Sequence, residues 1–464
     1  MPFDSPPARS GTQFDSPPAR SGTQGVLLPI DQRELRFEAA GGTRVARTLH
    51  PSGLRILTEQ VAGSQSATIG FWIPAGSRDE AEGAYGSTHF LEHLLFKGTP
   101  SRSALDIAVS FDEVGGDHNA VTAKEYTCYY AKVRDRDVPM AVTVLADMIA
   151  ASVIDPEEFE TERGVILEEL AAADDDPGDV VGERFAEAVF GAHPLARPIG
   201  GSPASIEAVG RDAVLAHYHQ HYRPSELVVT AAGAVDHERI VDLVVAGLAA
   251  AGWDMDAPAA PLPRRSREAV RIAPAASVVA VDRRLEQVNL VIGAPGLTGS
   301  ADDRPAMAVL SNILGGGMSS RLFQEVREKR GLVYSVYAFA PGYSDAGSVG
   351  MAASCTPKKA GEVVRVMSAE FERLAVEPVS EHELRRAVGY LSGAGALALE
   401  DSDSRMNRLG RAELSLGEFV DLDEWSSRLE AVSAEDVLAL ARRLVAEPRV
   451  TAAVGPVREQ DLAS

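Results

Sequence analysis

The stretch HFLEH, residues 89–93, contains side chains that can bind a metal ion and activate a water molecule. His89 and His93 are four residues apart, and Glu92 directly precedes the second histidine. If the stretch is helical, the two imidazoles lie about 40° apart on one face, because a helix advances about 100° per residue. Glu92 then lies about 60° to one side of His89. This spacing predicts two metal ligands with a carboxylate beside the metal.

The order of these residues is the reverse of the HExxH zinc motif, in which the glutamate follows the first histidine. The two arrangements are near mirror images around the histidine pair. In both, the carboxylate stands beside the metal, where a general base for a water molecule must be. H-x-x-E-H is a known inverted class of this motif. The alternative is a chance arrangement of polar residues on an ordinary surface helix, since the chain has 10 histidines.

A catalytic zinc site needs a third protein ligand and an open position for water. The segment ETERGVILEEL, residues 160–170, has glutamates at several positions of a predicted helix. Glu162 and Glu169 are seven residues apart and therefore share a helix face. Glu169 would complete a His-His-Glu site. A second histidine cluster lacks an adjacent carboxylate and is predicted to be structural or exposed: His217, His219 and His221.

Length and composition limit the class of protein. A chain of 464 residues predicts two or more domains, and 45% hydrophobic with 24% charged residues is typical of a globular enzyme. No apolar run approaches the roughly 20 residues of a membrane span, so we expect no membrane partner. The polar, proline-rich N-terminus does not resemble a secretory signal. The 2 cysteines, Cys128 and Cys355, are too few for a disulfide framework, which favours a reducing, cytoplasmic location.

The formal net charge of −22 disfavours nucleic acid as a partner, because phosphate-binding proteins present a basic face. Acidic residues clustered near a site would favour basic ligands, whereas scattered ones would only increase solubility. The charge alone leaves both interpretations open.

The chain divides into a tail, two folded halves and a linker. Residues 1–30 are predicted to be a disordered tail, because the 11-residue unit FDSPPARSGTQ is duplicated within them and has no hydrophobic period. Residues 31–250 alternate predicted strands and helices and contain HFLEH. Residues 251–268 are rich in proline and alanine and are predicted to be a linker. Residues 269–464 form the second half, with strands expected from its first residue onward.

The two halves end on similar segments. DAVLAHYHQHYRPSELVVTAAGAV begins at Asp212, and EDVLALARRLVAEPRVTAAVGPV begins at Glu435. Both patterns predict a helix, a turn and a buried strand, with TAA at residues 230 and 451. Chance local similarity is the alternative, but the same place at the end of each half favours duplication. We therefore predict two homologous tandem α+β domains.

Several of these motifs together resemble the pitrilysin/insulinase family of zinc metallopeptidases, which includes the mitochondrial processing peptidases. HFLEHLLFKGT resembles the family's zinc-site helix, and ERGVILEE resembles the helix of its third ligand. GGDHNAVTAKEYTCYY resembles the strand beside the active site. GGGMSSRLFQEVREKRGLVYSV resembles a segment of the family's second domain. The resemblance extends over residues 35–458.

The resemblance implies roles for the residues at the predicted metal site. His89, His93 and Glu169 would bind one Zn²⁺ per chain. Glu92 would be the general base, and Glu162 would support the site from the same helix as Glu169. Only the first half carries an HxxEH motif, so zinc is expected there alone.

The resemblance also implies residues that contact the substrate. Arg327 and Tyr334 of the second half would serve catalysis. Asn119 and Ala120 would face an extended peptide bound as an added strand. In the mitochondrial processing peptidases, two acidic positions after the third-ligand helix receive a substrate arginine near the cut. Counted without gaps, these positions are acidic here as well: Asp179 and Glu183.

The implied fold is a pair of related α+β domains, each a mainly antiparallel sheet packed against helices. The halves, or two such subunits, would enclose a chamber that admits peptides and unfolded segments. Because one chain holds both the HxxEH motif and the arginine–tyrosine pair, a homodimer is expected.

Three classes of function fit these patterns to different degrees. We expect a zinc metalloendopeptidase that hydrolyses peptides. The first alternative is a non-catalytic core or partner subunit of the same fold, although such members usually lose a zinc ligand or the base, and this chain keeps them. The second is a metal-dependent hydrolase of another class, or a zinc-binding module without catalysis. The position of Glu92 argues against simple metal binding.

Overall fold

A mixed seven-stranded sheet organises the first half of the computed structural model, which describes residues 25–462. The strands in this half are β1 (Val26–Leu27), β2 (Glu34–Ala39), β3 (Thr43–Leu49), β4 (Arg55–Gln60), β5 (Ser66–Ile73), β6 (Asp117–Thr122), β7 (Thr127–Arg134) and β8 (Val228–Gly233). The sheet order is β2-β3-β4-β8-β5-β7-β6, which leaves β6 at an edge. Neighbouring strands are antiparallel except β4 and β8.

Helices cover this sheet. They are α1 (Ser87–Leu95), α2 (Ala104–Asp112), α3 (Val138–Ala151), α4 (Pro156–Asp175), α5 (Pro177–Phe190), α6 (Pro203–Ala208), α7 (Arg211–His221) and α8 (His237–Ala250). In α3, Val142, Leu145 and Ile149 are fully or almost fully buried and recur at helical spacing, so one face of the helix packs into the core. All residues of β5 after Ser66 are buried, because the strand is central and covered on both faces.

A five-stranded sheet organises the second half. Its strands are β9 (Val278–Asp282), β10 (Val288–Pro295), β11 (Val333–Phe339), β12 (Ser348–Cys355) and β14 (Val450–Gly455), and a short β13 (Glu418–Phe419) pairs with β1 instead. Its helices are α9 (Arg304–Gly315), α10 (Ala360–Val376), α11 (Glu381–Ala398), α12 (Ser402–Arg411), α13 (Leu422–Glu430), α14 (Ala434–Val445) and α15 (Glu459–Leu462).

The second sheet repeats the order and directions of five strands of the first. Its order, β11-β12-β10-β14-β9, corresponds to β6-β7-β5-β8-β4. In both sheets the last pair is parallel and the other pairs are antiparallel. The TAA segments at residues 230 and 451 lie in the equivalent strands β8 and β14. The predicted fold of two homologous tandem α+β domains is confirmed.

The two halves exchange one helix each. Helix α5 follows α4 in the chain but packs onto β10 and β14 of the second sheet, where Val181 and Phe185 are buried. Helix α12 packs onto β5 and β8 of the first sheet, where Met406 and Leu409 lie against Trp72. The two helices hold equivalent places in the chain order of their halves. Each sheet is therefore completed by a helix from the other half.

Two boundaries differ from those predicted. The expected disordered tail was placed at residues 1–30, but Val26–Leu27 form β1 and pair with β13. The duplicated segment itself lies outside the described residues. The first strand of the second half begins at residue 278 rather than 269. Ile272 is buried against α5 in an extended segment without a strand partner, which explains the strand-like pattern there.

Charged side chains join the halves beside α1. The guanidinium of Arg78 donates two hydrogen bonds to Asp345, at 2.8 and 2.9 Å, and one to Glu125 at 2.6 Å. Glu125 also accepts hydrogen bonds from the backbone and hydroxyl of Ser344. These side chains are largely buried, so losing one partner would leave an uncompensated charge.

Cys128 and Cys355 are buried and form no disulfide. Within residues 25–462, no single helix is long and apolar enough to cross a membrane. Two consecutive segments, Asp135–Ala151 and Pro156–Asp175, are together long and apolar enough, but the chain bends by 101° between them.

Candidate active site

Helix α1 carries the HFLEH stretch with its apolar side chains turned into the core. Phe90, Leu91 and Leu94 are fully buried, whereas His89 and His93 lie on the partly exposed face. This division follows from the 3.6-residue period of a helix. The sequence of α1 therefore fixes which face presents the histidines.

The N-terminus of α1 is held by Glu80. Its two carboxylate oxygens accept hydrogen bonds from the backbone N–H groups of Gly86 and Thr88, both at 2.8 Å. Gly86 has a φ of 92°, a conformation that a glycine adopts without strain. A carboxylate satisfies the free N–H groups of a helix start. Burial nevertheless raises the pKa of Glu80 to about 7.

Glu169 approaches the two histidines from α4. This helix begins at Pro156 after Asp155, whose side chain accepts N–H groups of the first turn. The distance from His89 Nε2 to Glu169 Oε1 is 3.7 Å, and that from His93 Nε2 to Glu169 Oε2 is 3.3 Å. A tetrahedral zinc ion with bonds of about 2.0–2.1 Å separates its ligand atoms by roughly 3.3 Å. The donor set and its spacing therefore fit a zinc ion.

The protonation of His89 also suits a metal ligand. Burial lowers its pKa, and the neighbouring His93 lowers it further, while Glu169 and Glu92 act in the opposite direction. The neutral imidazole that results is the form that binds metals. The Nδ1 atom of His89 is buried and has no hydrogen-bond partner among the described residues.

His93 is oriented by Glu162. The distance from His93 Nδ1 to Glu162 Oε2 is 2.9 Å, which leaves Nε2 directed at Glu169. Glu162 is buried in α4, and its other oxygen lies 2.5 Å from Lys97 Nζ. A carboxylate that accepts the second N–H of a ligand histidine fixes its tautomer and raises its basicity.

Glu92 lies between the histidines and the edge of the first sheet. Its carboxylate accepts a hydrogen bond from the hydroxyl of Thr122, at the end of β6. Asn119 and Ala120 lie earlier on the same strand, and they pair with β7 on one side only. The structure thus places the predicted base beside the edge strand predicted to receive the substrate.

The side chains of Arg327 and Tyr334 contact each other in the second half. Arg327 lies in a π-helical turn, Phe323–Glu328, with its guanidinium 4.9 Å from the centre of the Tyr334 ring. Tyr334 is 80% exposed. Within residues 25–462, no hydrogen bond, ion pair or ring contact joins either residue to the three predicted zinc ligands.

Asp179 and Glu183 lie one turn apart on α5. Burial raises the pKa of Glu183, and the nearby Glu187 and Asp179 raise it further. Two neighbouring cations lower it: Arg184 on the same helix, and Lys124 in the turn between β6 and β7. Glu183 therefore lies near the end of the edge strand, in a setting that compensates its charge only in part.

The sequence did not reveal three polar residues that hold the site. Lys97 follows His93 by one helical turn, so its position on the same face could have been inferred. Thr122 follows Ala120 by two residues and therefore shares its face of β6. Glu80 had no such signal, because it reaches α1 from outside the usual capping positions.

Comparisons with known proteins agree with this fold. The family described as Insulinase (Peptidase family M16) matches residues 55–202, and the Peptidase M16 inactive domain matches residues 208–391. An uncharacterized zinc protease of Streptomyces coelicolor is 46% identical over 90% of each chain. Those of Mycobacterium tuberculosis and Bacillus subtilis are 43% and 35% identical, over 88% and 87% of this chain and 93% and 97% of theirs.

Solved structures share the fold at low sequence identity. The peptidase M16 inactive domain of Pseudomonas fluorescens has a TM-score of 0.79 at 19% identity, and the match covers 92% of this chain and 99% of that one. A chain of Complex III2 from Candida albicans has a TM-score of 0.76 at 20% identity, over 89% and 96%. The chain belongs to the insulinase family of peptidases, M16, and its relatives are named zinc proteases.

Proposed function

We propose that this protein is a zinc metalloendopeptidase of the inverted HxxEH type that cleaves peptides or unfolded segments. The observation that supports it best is that the ligand atoms of His89, His93 and Glu169 converge on one point. Glu92 lies on α1, the helix that carries the two histidines. His89, His93 and Glu169 would hold one zinc ion per chain. When bound, zinc supplies a Lewis acid that polarises the scissile carbonyl and acidifies a water molecule.

Glu92 moves the proton in this proposal. Its carboxylate accepts a proton from the attacking water and later delivers it to the leaving amine. The hydroxyl of Thr122 donates to this carboxylate and keeps it beside the edge of the sheet. Glu162 and Lys97 hold His93 in orientation while the proton moves.

The substrate would lie along β6. This strand is at the edge of its sheet, and its free side can accept an extended peptide by main-chain hydrogen bonds. Asn119 and Ala120 would be the pairing positions, and Thr122 would place the scissile bond next to Glu92. An extended peptide fits this mode, whereas a folded protein does not expose its backbone in the same way.

The test of the reaction is Glu92→Gln in the full chain. The variant should keep zinc, measured by metal analysis, and lose cleavage of unfolded peptides. Glu168→Gln, an exposed neighbour of Glu169, is the matched control and should cleave like the wild type. Undiminished cleavage by Glu92→Gln would contradict this mechanism. A wild-type protein that binds zinc but cleaves no peptide would favour the alternative of a non-catalytic core or partner subunit.

We also propose that the enzyme is a homodimer in which the second copy supplies Arg327 and Tyr334. The support is that Tyr334 is exposed and that, among the described residues, the pair has no contact with the zinc ligands of its own chain. Mixing tests this directly. Glu92→Gln and Tyr334→Phe should each be inactive alone, yet a mixed dimer would contain one complete site and regain cleavage. No recovery in a mixed dimer, or a monomer by sedimentation, would refute the arrangement.

Finally, we propose a preference for arginine near the scissile bond, received by Asp179 and Glu183. The support is the partly compensated charge of Glu183, one helical turn from Asp179, which a guanidinium would balance. A library of unfolded peptides should show basic residues enriched near the cut, and Glu183→Gln should reduce that enrichment. Glu160→Gln, on the exposed surface of α4, should leave it unchanged. Cleavage without any basic preference would exclude this role.

A further inference from the structure

A cavity of about 180 Å³ lies between the two halves, and none of the predicted zinc-site residues lines it. Its polar lining includes Arg55 from β4, Arg264 and Arg265 from the linker, and Ser415 from the π-helical turn after α12. Since about 10–15 Å³ of such accessible volume is enough for one water molecule, the cavity has room for several. It is therefore large enough for a small polyatomic ion.

Two arginines of the cavity wall, Arg55 and Arg264, belong to a buried charge cluster with an excess of positive charge. Glu413 is completely buried, and the guanidinium groups of Arg47, Arg55 and Arg264 lie 3.2, 3.3 and 3.1 Å from its oxygens. Three guanidinium groups thus share one carboxylate. Asp31 acts on Arg47 from farther away. Arginine does not release its proton in proteins, so this excess charge must be compensated in another way.

The hydrogen-bond donors of the three arginines are not equally satisfied. Arg47 and Arg264 also donate to backbone carbonyl groups, those of residues 28, 29, 30, 32 and 413. Arg55 has five N–H donors, and its only side-chain partner in the described chain is Glu413. Its Nε is buried without a partner, and Arg264 Nη1 donates to no described residue.

Two other charged residues of the lining are already paired. Glu125 is occupied by Arg78 and Ser344, and Arg265 is occupied by Asp79. They therefore do not neutralise the excess around Glu413. Among the residues that line the cavity, the unused donors of this cluster belong to Arg55 and Arg264, and the hydroxyl of Ser415 lines the same space.

We propose that this cavity binds a small oxyanion, phosphate-like in size and charge, through Arg55, Arg264 and Ser415. Guanidinium forks match oxyanions in geometry and form two parallel hydrogen bonds to them. The bound ion would offset the buried excess charge and would connect strand β4, the linker and the segment after α12. The site would be separate from the zinc site and would not take part in peptide cleavage.

The probe is inorganic phosphate, titrated calorimetrically into the full-length protein in a chloride-free buffer at constant ionic strength. We expect one saturable site per chain and a melting temperature that rises with occupancy. Arg55→Met should weaken binding at least tenfold and remove the rise. Arg239→Met, an exposed arginine of α8, is the matched control and should bind like the wild type.

A second variant, Arg55→Lys, retains the positive charge beside Glu413 and should therefore fold even if Arg55→Met does not. It lacks the forked donors of the guanidinium group. It should also bind phosphate at least tenfold more weakly. Phosphate held by the zinc site or by the general surface would persist in both Arg55 variants. Equal binding by wild type and Arg55→Met would overturn the proposal, and so would the lack of saturable binding by the wild type at millimolar phosphate.

Discussion

Replacing Glu162 by glutamine should weaken zinc binding without unfolding the protein. Glu162 accepts a hydrogen bond from His93 at 2.9 Å and lies 2.5 Å from Lys97 Nζ. A hydrogen bond to a charged group contributes about 1.5–3 kcal/mol. Glutamine keeps a neutral acceptor in the same place, so the loss should be near the lower figure. Since 1.4 kcal/mol corresponds to about tenfold in an equilibrium constant, zinc affinity should fall about tenfold.

The assay is competition for zinc with a chromogenic chelator, followed by peptide cleavage at saturating zinc. Glu160→Gln is the matched control, because it removes the same charge from the same helix. Glu160 pairs with Arg163 at the surface, at 3.0 Å, and such pairs contribute little. An affinity of Glu162→Gln within twofold of both the wild type and the control would refute the orienting role of Glu162.

Two further predictions concern stability. Burial lowers the pKa of His237 to about 4, so between about pH 6.5 and 4 the unfolded chain binds more protons, and stability should fall by about 3 kcal/mol as the pH falls. The free energy of unfolding, measured with urea at several pH values, should depend less on pH in His237→Asn than in the wild type. The same dependence in both proteins would contradict this prediction. Gly410→Ala should lower the melting temperature, because its Cβ would lie 2.5 Å from a buried tryptophan ring. The added Cβ of Gly389→Ala would have no atom within 4 Å, so this substitution should raise the melting temperature slightly. A higher melting temperature in both variants would contradict the packing argument.

The local patterns of the sequence predicted much of the fold and of the candidate site. The helix that carries HFLEH and the helix that carries Glu169 were expected, because each has a clear helical period. The strand β6 was expected from the resemblance of GGDHNAVTAKEYTCYY to the strand beside the family's active site. The structure then brings His89, His93 and Glu169 together, which the resemblance implied and spacing along the chain alone could not show.

Other features depend on contacts that local patterns do not encode. The buried residues of α5, such as Phe185, indicate an apolar face but do not identify which sheet it covers. Ile272 gave a strand-like signal because it is buried against a helix rather than paired in a sheet. Glu80 binds a helix start from outside the positions that capping rules consider. Each case requires the tertiary structure, because the contacting residue is distant in the sequence or lies at a position that helix-capping rules do not include.

The exchange of α5 and α12 has a consequence for the origin of this chain. Two identical units that each lend one helix to the other form a domain-swapped dimer. Joining such units end to end would produce the arrangement seen here, with residues 251–277 as the connection. The exchanged helices would hold the units together without that connection. Two separately produced fragments, divided within it, should therefore reassemble into one particle.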